Sequence, residues 1–189
     1  MNVPNRLTFL RVVLTGVIIV VLLRPGLPAK LWATGLFMVA VLTDWLDGYL
    51  ARRLQQITPL GKLWDPIADK LLVIGLLAVF AHLRIVPLWM VLVVVAREVA
   101  VTVARVVALR RRAVIAAAKE GKQKAVVQML TLMLALLLAA TRDAAVSGRL
   151  QHVLQTAILV GMVVTVVLTV QSGWLFFRRN WSVVAGRAS

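Results

Sequence analysis

Six long apolar runs, each bounded by charged or turn residues, constrain this chain more than any other feature. They fall at about Leu7 to Leu23, Leu31 to Leu50, Leu63 to His82, Pro87 to Leu109, Val126 to Thr141 and Val153 to Phe177. Each approaches the roughly 20 residues that cross a hydrocarbon core as α-helix, and none shows the strand alternation of a membrane barrel. With 61% of 189 residues hydrophobic and 15% charged, the chain is far more apolar than a soluble domain. The expected fold is therefore all-α: a polytopic integral membrane protein of about six transmembrane helices with an amino-terminal juxtamembrane segment at Pro4-Asn5-Arg6, where Asn5 or Thr8 is available as a helix cap. Residues 1–189 read as a single membrane domain without low-complexity linker or internal repeat. The first run is too long for a signal peptide, and Arg24-Pro25-Gly26 behind it is not a small-residue cleavage site.

An even number of spans puts both termini on one side, and charge says which. The amino terminus, the second-to-third and fourth-to-fifth connections and the tail hold fifteen basic residues, against five on the other side: Arg24, Lys30, Arg84, Arg142 and Arg149. Cytoplasmic loops carry the excess of Lys and Arg, so the termini and these two connections are expected in the cytoplasm, as in a bacterial plasma membrane. A net charge of +15 then reads as orientation and attraction to anionic lipid headgroups, and nucleic-acid binding is not expected. There are no cysteines, which excludes disulfides, thiolate metal sites and thiol nucleophiles.

Four of the seven acidic residues lie in one segment, "TDWLDGYLARRLQQITPLGKLWDPIADK", from Thr43 to Lys70. Asp44 and Asp47 are three apart and share a helix face at the cytoplasmic end of the second span. Asp65 and Asp69 are four apart and share a face at the start of the third. A turn containing Pro59 and Gly61 is expected to make the two helices antiparallel neighbours, with both pairs at one depth. Four carboxylates at close range need positive charge among them. Hard divalent ions, Mg²⁺ or Mn²⁺, suit an oxygen-only ligand set, and two of them roughly 3.5–4 Å apart would make a phosphoryl-transfer site. Gly48, Ala51 and Gly61 leave room for a bulky ligand, and Arg52 is placed to meet a phosphate. The competing reading is that these Asp residues cap helices or pair with Arg52, Arg53, Lys62 and Lys70.

The pattern Asp44-x2-Asp47-Gly48-x2-Ala51-Arg52-x8-Gly61-x3-Asp65-x3-Asp69 resembles the full signature of the CDP-alcohol phosphatidyltransferase family. The resemblance implies a six-helix membrane enzyme, acting as a homodimer, that moves a phosphatidyl group from CDP-diacylglycerol to an alcohol and releases CMP. It implies two divalent ions held by Asp44, Asp47, Asp65 and Asp69, with Asp69 also the general base on the acceptor hydroxyl. Gly48, Ala51, Arg52 and Gly61 would form the cytidine and diphosphate pocket, joined by Asn5 and Thr8 at the amino terminus.

"NVPNRLTFLRVVLT", "GKLWDPIADKLLV", "VPLWMVLVVVAREVAVTVAR" and "GKQKAVVQM" are similar to the phosphatidylglycerophosphate synthase branch, whose acceptor is glycerol 3-phosphate. Ala125, Val103 and Trp64 depart from that branch's usual residues. An anionic acceptor needs cations, and Arg97, Arg105, Lys119, Lys122 and Lys124 are the candidates. Arg97 is the sharpest, because a charge inside an apolar span is costly and usually functional; its bland reading is a pair with Glu98. Arg110 to Arg112 read as contacts to membrane lipid headgroups, His82 and His152 as interfacial, and Trp32, Trp89, Trp174 and Trp181 as interfacial belts. Trp45 and Trp64 flank the carboxylates and either shape the pocket or pack. Two other readings stay open: the same reaction with phosphatidylglycerol (a cardiolipin synthase) or inositol phosphate as acceptor, and a divalent-cation transporter using the Asp cluster.

Overall fold

The computed structural model describes the backbone of residues 3–54, 59–110, 120–144 and 146–184, with side chains over 10–43, 70–104, 106–108, 123–144 and 146–181. Among these residues the elements are all α-helices: α1 (Val3–Leu23), α2 (Leu27–Leu54), α3 (Pro59–His82), α4 (Leu88–Arg110), α5 (Glu120–Asp143) and α6 (Gly148–Val184). Each apolar run of the sequence maps onto one helix. The helices outrun the apolar stretches because backbone hydrogen bonding is local and does not stop where hydropathy does.

Helix extends through two expected boundaries. The juxtamembrane stretch Pro4-Asn5-Arg6 is itself helical, since α1 runs unbroken from Val3 and so contains Asn5 and Thr8. Pro4 is tolerated there because the N–H groups of a first helical turn have no intrahelical partner. Likewise Pro59 opens α3, and Gly61 lies in its first turn rather than in a connecting loop. Residues 55–58 and most of the basic connection after α4, including Arg111, Arg112 and Lys119, lie outside the described residues.

Among the described residues, two helical stretches are long and apolar enough to cross a membrane, Gln123–Asp143 and Gly148–Trp181; Leu10–Leu23, Leu27–Thr43 and Lys70–His82 are shorter apolar helices. The outward faces are also apolar: Val13, Val17 and Val20 on α1, Met38 and Leu42 on α2, Leu92, Val99 and Val103 on α4, and Val160, Val163, Val167 and Val170 on α6 are all exposed. So extended an apolar exterior fits lipid rather than water. Exposed Trp32 and Trp89 open α2 and α4, whereas Trp174 and Trp181 lie towards the end of α6. α6 bends at Asn180, where the backbone leaves helical values and Asn180 Nδ2 donates to Phe176 O at 2.8 Å.

α1 packs against both α2 and α3, α5 against α6 and α2, and α4 against α6 and α3. Direct α2–α3 packing is absent among the described residues, so α1 stands where the sequence suggested immediate neighbours. The fully buried side chains Ile18, Leu22, Phe37, Leu76, Phe80, Leu132, Leu136, Ile158 and Met162 come from the later halves of α1, α3 and α5 and the earlier halves of α2 and α6. Among the described residues the larger apolar core thus lies towards the ends of α2 and α3 that do not bear the Asp residues, and a smaller buried cluster of Val101, Ala104 and Phe176 joins α4 to α6. Between helices in lipid, close packing matters more than water exclusion. At Gly75 an added Cβ would stand 2.7 Å from Ile19 Cδ1, so the glycine is what lets α1 and α3 approach.

Candidate functional site

Asp44 and Asp47 lie on one continuous helix with Gly48, Ala51 and Arg52, in the last eleven residues of α2. Asp65 and Asp69 follow Gly61 on α3. At 1.5 Å per residue, Asp47 stands about 10 Å back from the end of α2 and Asp65 about 9 Å in from the start of α3, with Asp44 and Asp69 each about 15 Å from those ends. The five Cα steps from Leu54 to Pro59 span at most about 18 Å. The two pairs thus lie at matching distances along the chain from the short connection between α2 and α3. Four carboxylate-bearing positions with no cysteine in the chain also suit a hard oxygen-ligated ion.

One residue beyond Asp69 begins a buried ionic cluster. Glu98 of α4 lies at its centre and is 8% exposed. Lys70 Nζ from α3 stands 3.3 Å from Glu98 Oε2 and donates to Glu98 O at 3.2 Å and to Thr102 Oγ1. Thr102 Oγ1 in turn donates to Glu98 O at 2.7 Å. Arg97 Nη1 donates to Glu98 Oε1 at 2.9 Å, while Nη2 donates to Ser172 Oγ on α6 at 3.0 Å. Lys124 Nζ from α5 forms an ion pair with Glu98 Oε1, and Lys124 is 4% exposed. Groups from α3, α4 and α5 meet at this carboxylate, and Ser172 brings α6 into the cluster through Arg97. A lone buried carboxylate would be strongly disfavoured, so the cations account for its presence; the reverse does not hold, since here one carboxylate serves three cations.

The cluster continues along the α5–α6 seam. Gly161 of α6 faces Thr131 of α5, whose hydroxyl would collide with an added Cβ. Gln128 Nε2, Thr165 Oγ1, Thr169 Oγ1 and Arg97 Nε are buried without a hydrogen-bond partner. Buried polar atoms normally find partners, so Arg97 Nε within the cluster, with Gln128 one turn along α5 from Lys124, suits a place for a polar ligand or water. Gly173 makes room for Arg97, because a Cβ there would lie 3.2 Å from Arg97 Cγ.

Of the acceptor candidates, the fold brings Arg97 and Lys124 together through Glu98. Arg105 lies on α4 two turns beyond Arg97, and Lys122 lies in the first turn of α5. Lys119 falls outside the described residues. Asn5 and Thr8 occupy the first two turns of α1. His82 sits at the far end of α3, exposed, beside an apolar groove of about 410 Å³ lined by Leu88, Val91 and Leu92, and His152 is exposed near the start of α6. Sequence reasoning gave Lys70 and Glu98 only as pairing partners and left out Thr102, Gln128 and Ser172. The usable signal was Glu98 itself, an acid in the middle of an apolar span and therefore in need of cations from neighbouring helices.

Comparison with known proteins joins these observations. The curated protein of Bacillus subtilis (strain 168) named CDP-diacylglycerol--glycerol-3-phosphate 3-phosphatidyltransferase is 35% identical over 201 residues, which cover 97% of each chain. Proteins of the same name from Escherichia coli (strain K12) and Pseudomonas fluorescens are 36% and 43% identical, over 69% and 56% of this chain and 74% and 55% of their own. A family model described as CDP-alcohol phosphatidyltransferase matches residues 1–177, which takes in both the Asp-bearing helices and the Glu98 cluster. By its motif and by this match along nearly its whole length, the chain belongs to the CDP-alcohol phosphatidyltransferase family.

Proposed function

We propose that this protein transfers the phosphatidyl group of CDP-diacylglycerol to glycerol 3-phosphate, giving phosphatidylglycerol phosphate and CMP. The observation that carries this reading is the end-to-end likeness to a relative named for that reaction. The cationic cluster one residue from Asp69 supports it further, because an acceptor bearing a phosphate dianion needs buried positive charge.

Asp44, Asp47, Asp65 and Asp69 would hold two divalent ions, Mg²⁺ or Mn²⁺, which when bound would neutralise the diphosphate and the charge that develops on it. The chain's own groups do the rest. Asp69 takes the proton from the acceptor hydroxyl as its oxygen bonds to the phosphatidyl phosphorus, and the bond from that phosphorus to the CMP oxygen breaks. Gly48, Ala51, Arg52 and Gly61 seat the cytidine diphosphate, with Asn5 and Thr8 beside them. Arg97 and Lys124, with Arg105, Lys119 and Lys122 farther out, bind the acceptor phosphate and so hold its hydroxyl at the reacting phosphorus.

We further assign six spans, a single membrane domain, homodimeric assembly as the family resemblance implies, and a plasma-membrane location with the termini and the Asp-bearing ends cytoplasmic. Fifteen basic residues against five support that orientation. A site at the interface lets the diacyl tails stay in lipid while the nucleotide meets water.

The test is CMP release by the purified protein with Mg²⁺ or Mn²⁺ and a panel of glycerol 3-phosphate, phosphatidylglycerol and inositol phosphate. Turnover with glycerol 3-phosphate is expected, and turnover with another acceptor alone would sink the assignment. Asp69→Asn should reduce the rate by about 10²–10⁴-fold, the usual worth of a positioned base, while protein yield is unchanged.

A further inference from the structure

Glu98 poses a problem for any site that binds an anion. A carboxylate among Lys70, Arg97 and Lys124 repels the phosphate those cations would attract. Simple charge counting says that the site would bind an anion better without it. Its geometry says otherwise. Glu98 Oε1 accepts from both Arg97 and Lys124, which come from different helices, while Oε2 and the main-chain carbonyl hold Lys70 of α3. Lys124 is bonded to no other residue among the described contacts, and Arg97 has only Ser172 besides. Three long cationic side chains brought this close, at a depth where water is scarce, cannot all remain charged and in place without a counter-charge. The unpartnered Arg97 Nε and Gln128 Nε2 show that donors are left over once Glu98 is served.

We infer that Glu98 is a positioning residue for the acceptor subsite: without touching the acceptor, it holds Arg97 and Lys124 converged on one space and ties that pair, through Lys70, to the level of α3 that carries Asp69. This rests on the proposed reaction. It adds that the negative charge at position 98 tightens the binding of a negatively charged acceptor. The four-helix junction then couples acceptor capture to the helix bearing the base.

Binding is measured on purified protein in lipid nanodiscs, with glycerol 3-phosphate and CMP as separate titrants, alongside steady-state KM and kcat. Glu98→Gln, similar in shape but uncharged, should weaken glycerol 3-phosphate binding and raise its KM about tenfold or more, with CMP affinity changed less than about twofold. Glu98→Asp should recover most of that loss. Tighter glycerol 3-phosphate binding in Glu98→Gln, as charge counting predicts, would overturn the inference. So would an unchanged KM, or equal losses for both titrants.

If Glu98→Gln does not fold, Lys70→Met cuts the tie between Glu98 and α3 while leaving Arg97 and Lys124 on the carboxylate. A raised acceptor KM with CMP affinity held is then expected, and an unchanged KM or equal losses for both titrants would overturn the inference. Wild-type protein that does not turn over glycerol 3-phosphate brings down the proposed reaction and this inference with it. Wild-type turnover with an indifferent Glu98→Gln brings down the inference alone.

Discussion

Two carboxylates sit in lysine-containing clusters at opposite ends of the bundle, and they are used differently. At the core end, Asp143 of α5 accepts from Gly26 N at 2.9 Å and stands 3.9 Å from Lys30 Nζ. Lys30 spends its other hydrogens on Leu22 O and Arg24 O, at 2.6 and 2.7 Å, which are carbonyls at the end of α1 left without intrahelical partners. Gly26 has φ of 99°, a left-handed value that glycine adopts readily, so the tight α1–α2 turn and the carboxylate fit each other. Every polar group there closes on backbone. At the other end, Glu98 faces three cations, and donors remain unused around it. A buried charge that ends on main-chain groups finishes a fold, whereas one that leaves polar atoms unpartnered beside it is where we propose that the acceptor binds.

The largest effect expected from this contrast is at Lys124. Lys124→Met keeps the apolar stem, removes the charge and strips Glu98 of its ion pair to α5. Acceptor-dependent kcat/KM should fall about 100-fold or more, in line with the loss of one partner from a buried ion pair. A fall below tenfold would place Lys124 with the structural charges. Lys30→Met makes the parallel change at the core end. It should leave kcat/KM within about twofold but cost about 2–3 kcal/mol of stability, because two carbonyls lose a charged donor. Thermal unfolding in detergent reads the second effect, and an activity loss like that of Lys124→Met would erase the distinction between the two ends.

The same contrast explains what was legible in the sequence. Helices announced themselves through run length, because a bilayer demands about 20 apolar residues of any span. Their ends did not, since α2 continues through Asp44, Asp47 and Arg52 to Leu54 with no change in backbone bonding, and Pro59 starts a helix instead of a turn. The Asp positions were readable because they are local, at fixed spacing on two consecutive helices. The Glu98 cluster was not. Its partners stand 28 and 26 positions away at Lys70 and Lys124, and Arg97 reaches Ser172 across 75. Only the packing of α4 against α6, and of α3 and α5 around them, makes those distances small. The costliness of charge in an apolar span pointed to Arg97 and applied equally to its neighbour.

A smaller effect is expected where the cluster leans on packing alone. Gly173→Ala places a methyl group 3.2 Å from Arg97 Cγ, tight enough to displace the guanidinium by a few tenths of an ångström. The acceptor KM should rise about threefold while that for CDP-diacylglycerol holds, a fraction of the 10²-fold attached to an ångström of misplacement. Equal changes in both constants would point to general loosening of α4 against α6.

The smallest effect belongs to Asp143→Asn. The amide oxygen can still accept from Gly26 N, so the turn keeps its hydrogen bond and loses only the attraction to Lys30. That pair is long, at 3.9 Å, and Lys30 stays anchored by Leu22 O and Arg24 O whatever stands at position 143. The cost should be below about 1 kcal/mol, as for a partly exposed ion pair, with activity unchanged. Because Glu98→Gln is the same chemical change at the other end, the two variants make a direct test. Destabilisation by Asp143→Asn as large as that of Lys30→Met would mean that the charge, not the carbonyl contacts, holds the α1–α2 turn, and the division between backbone-closed and ligand-seeking charges would fail at its simpler end.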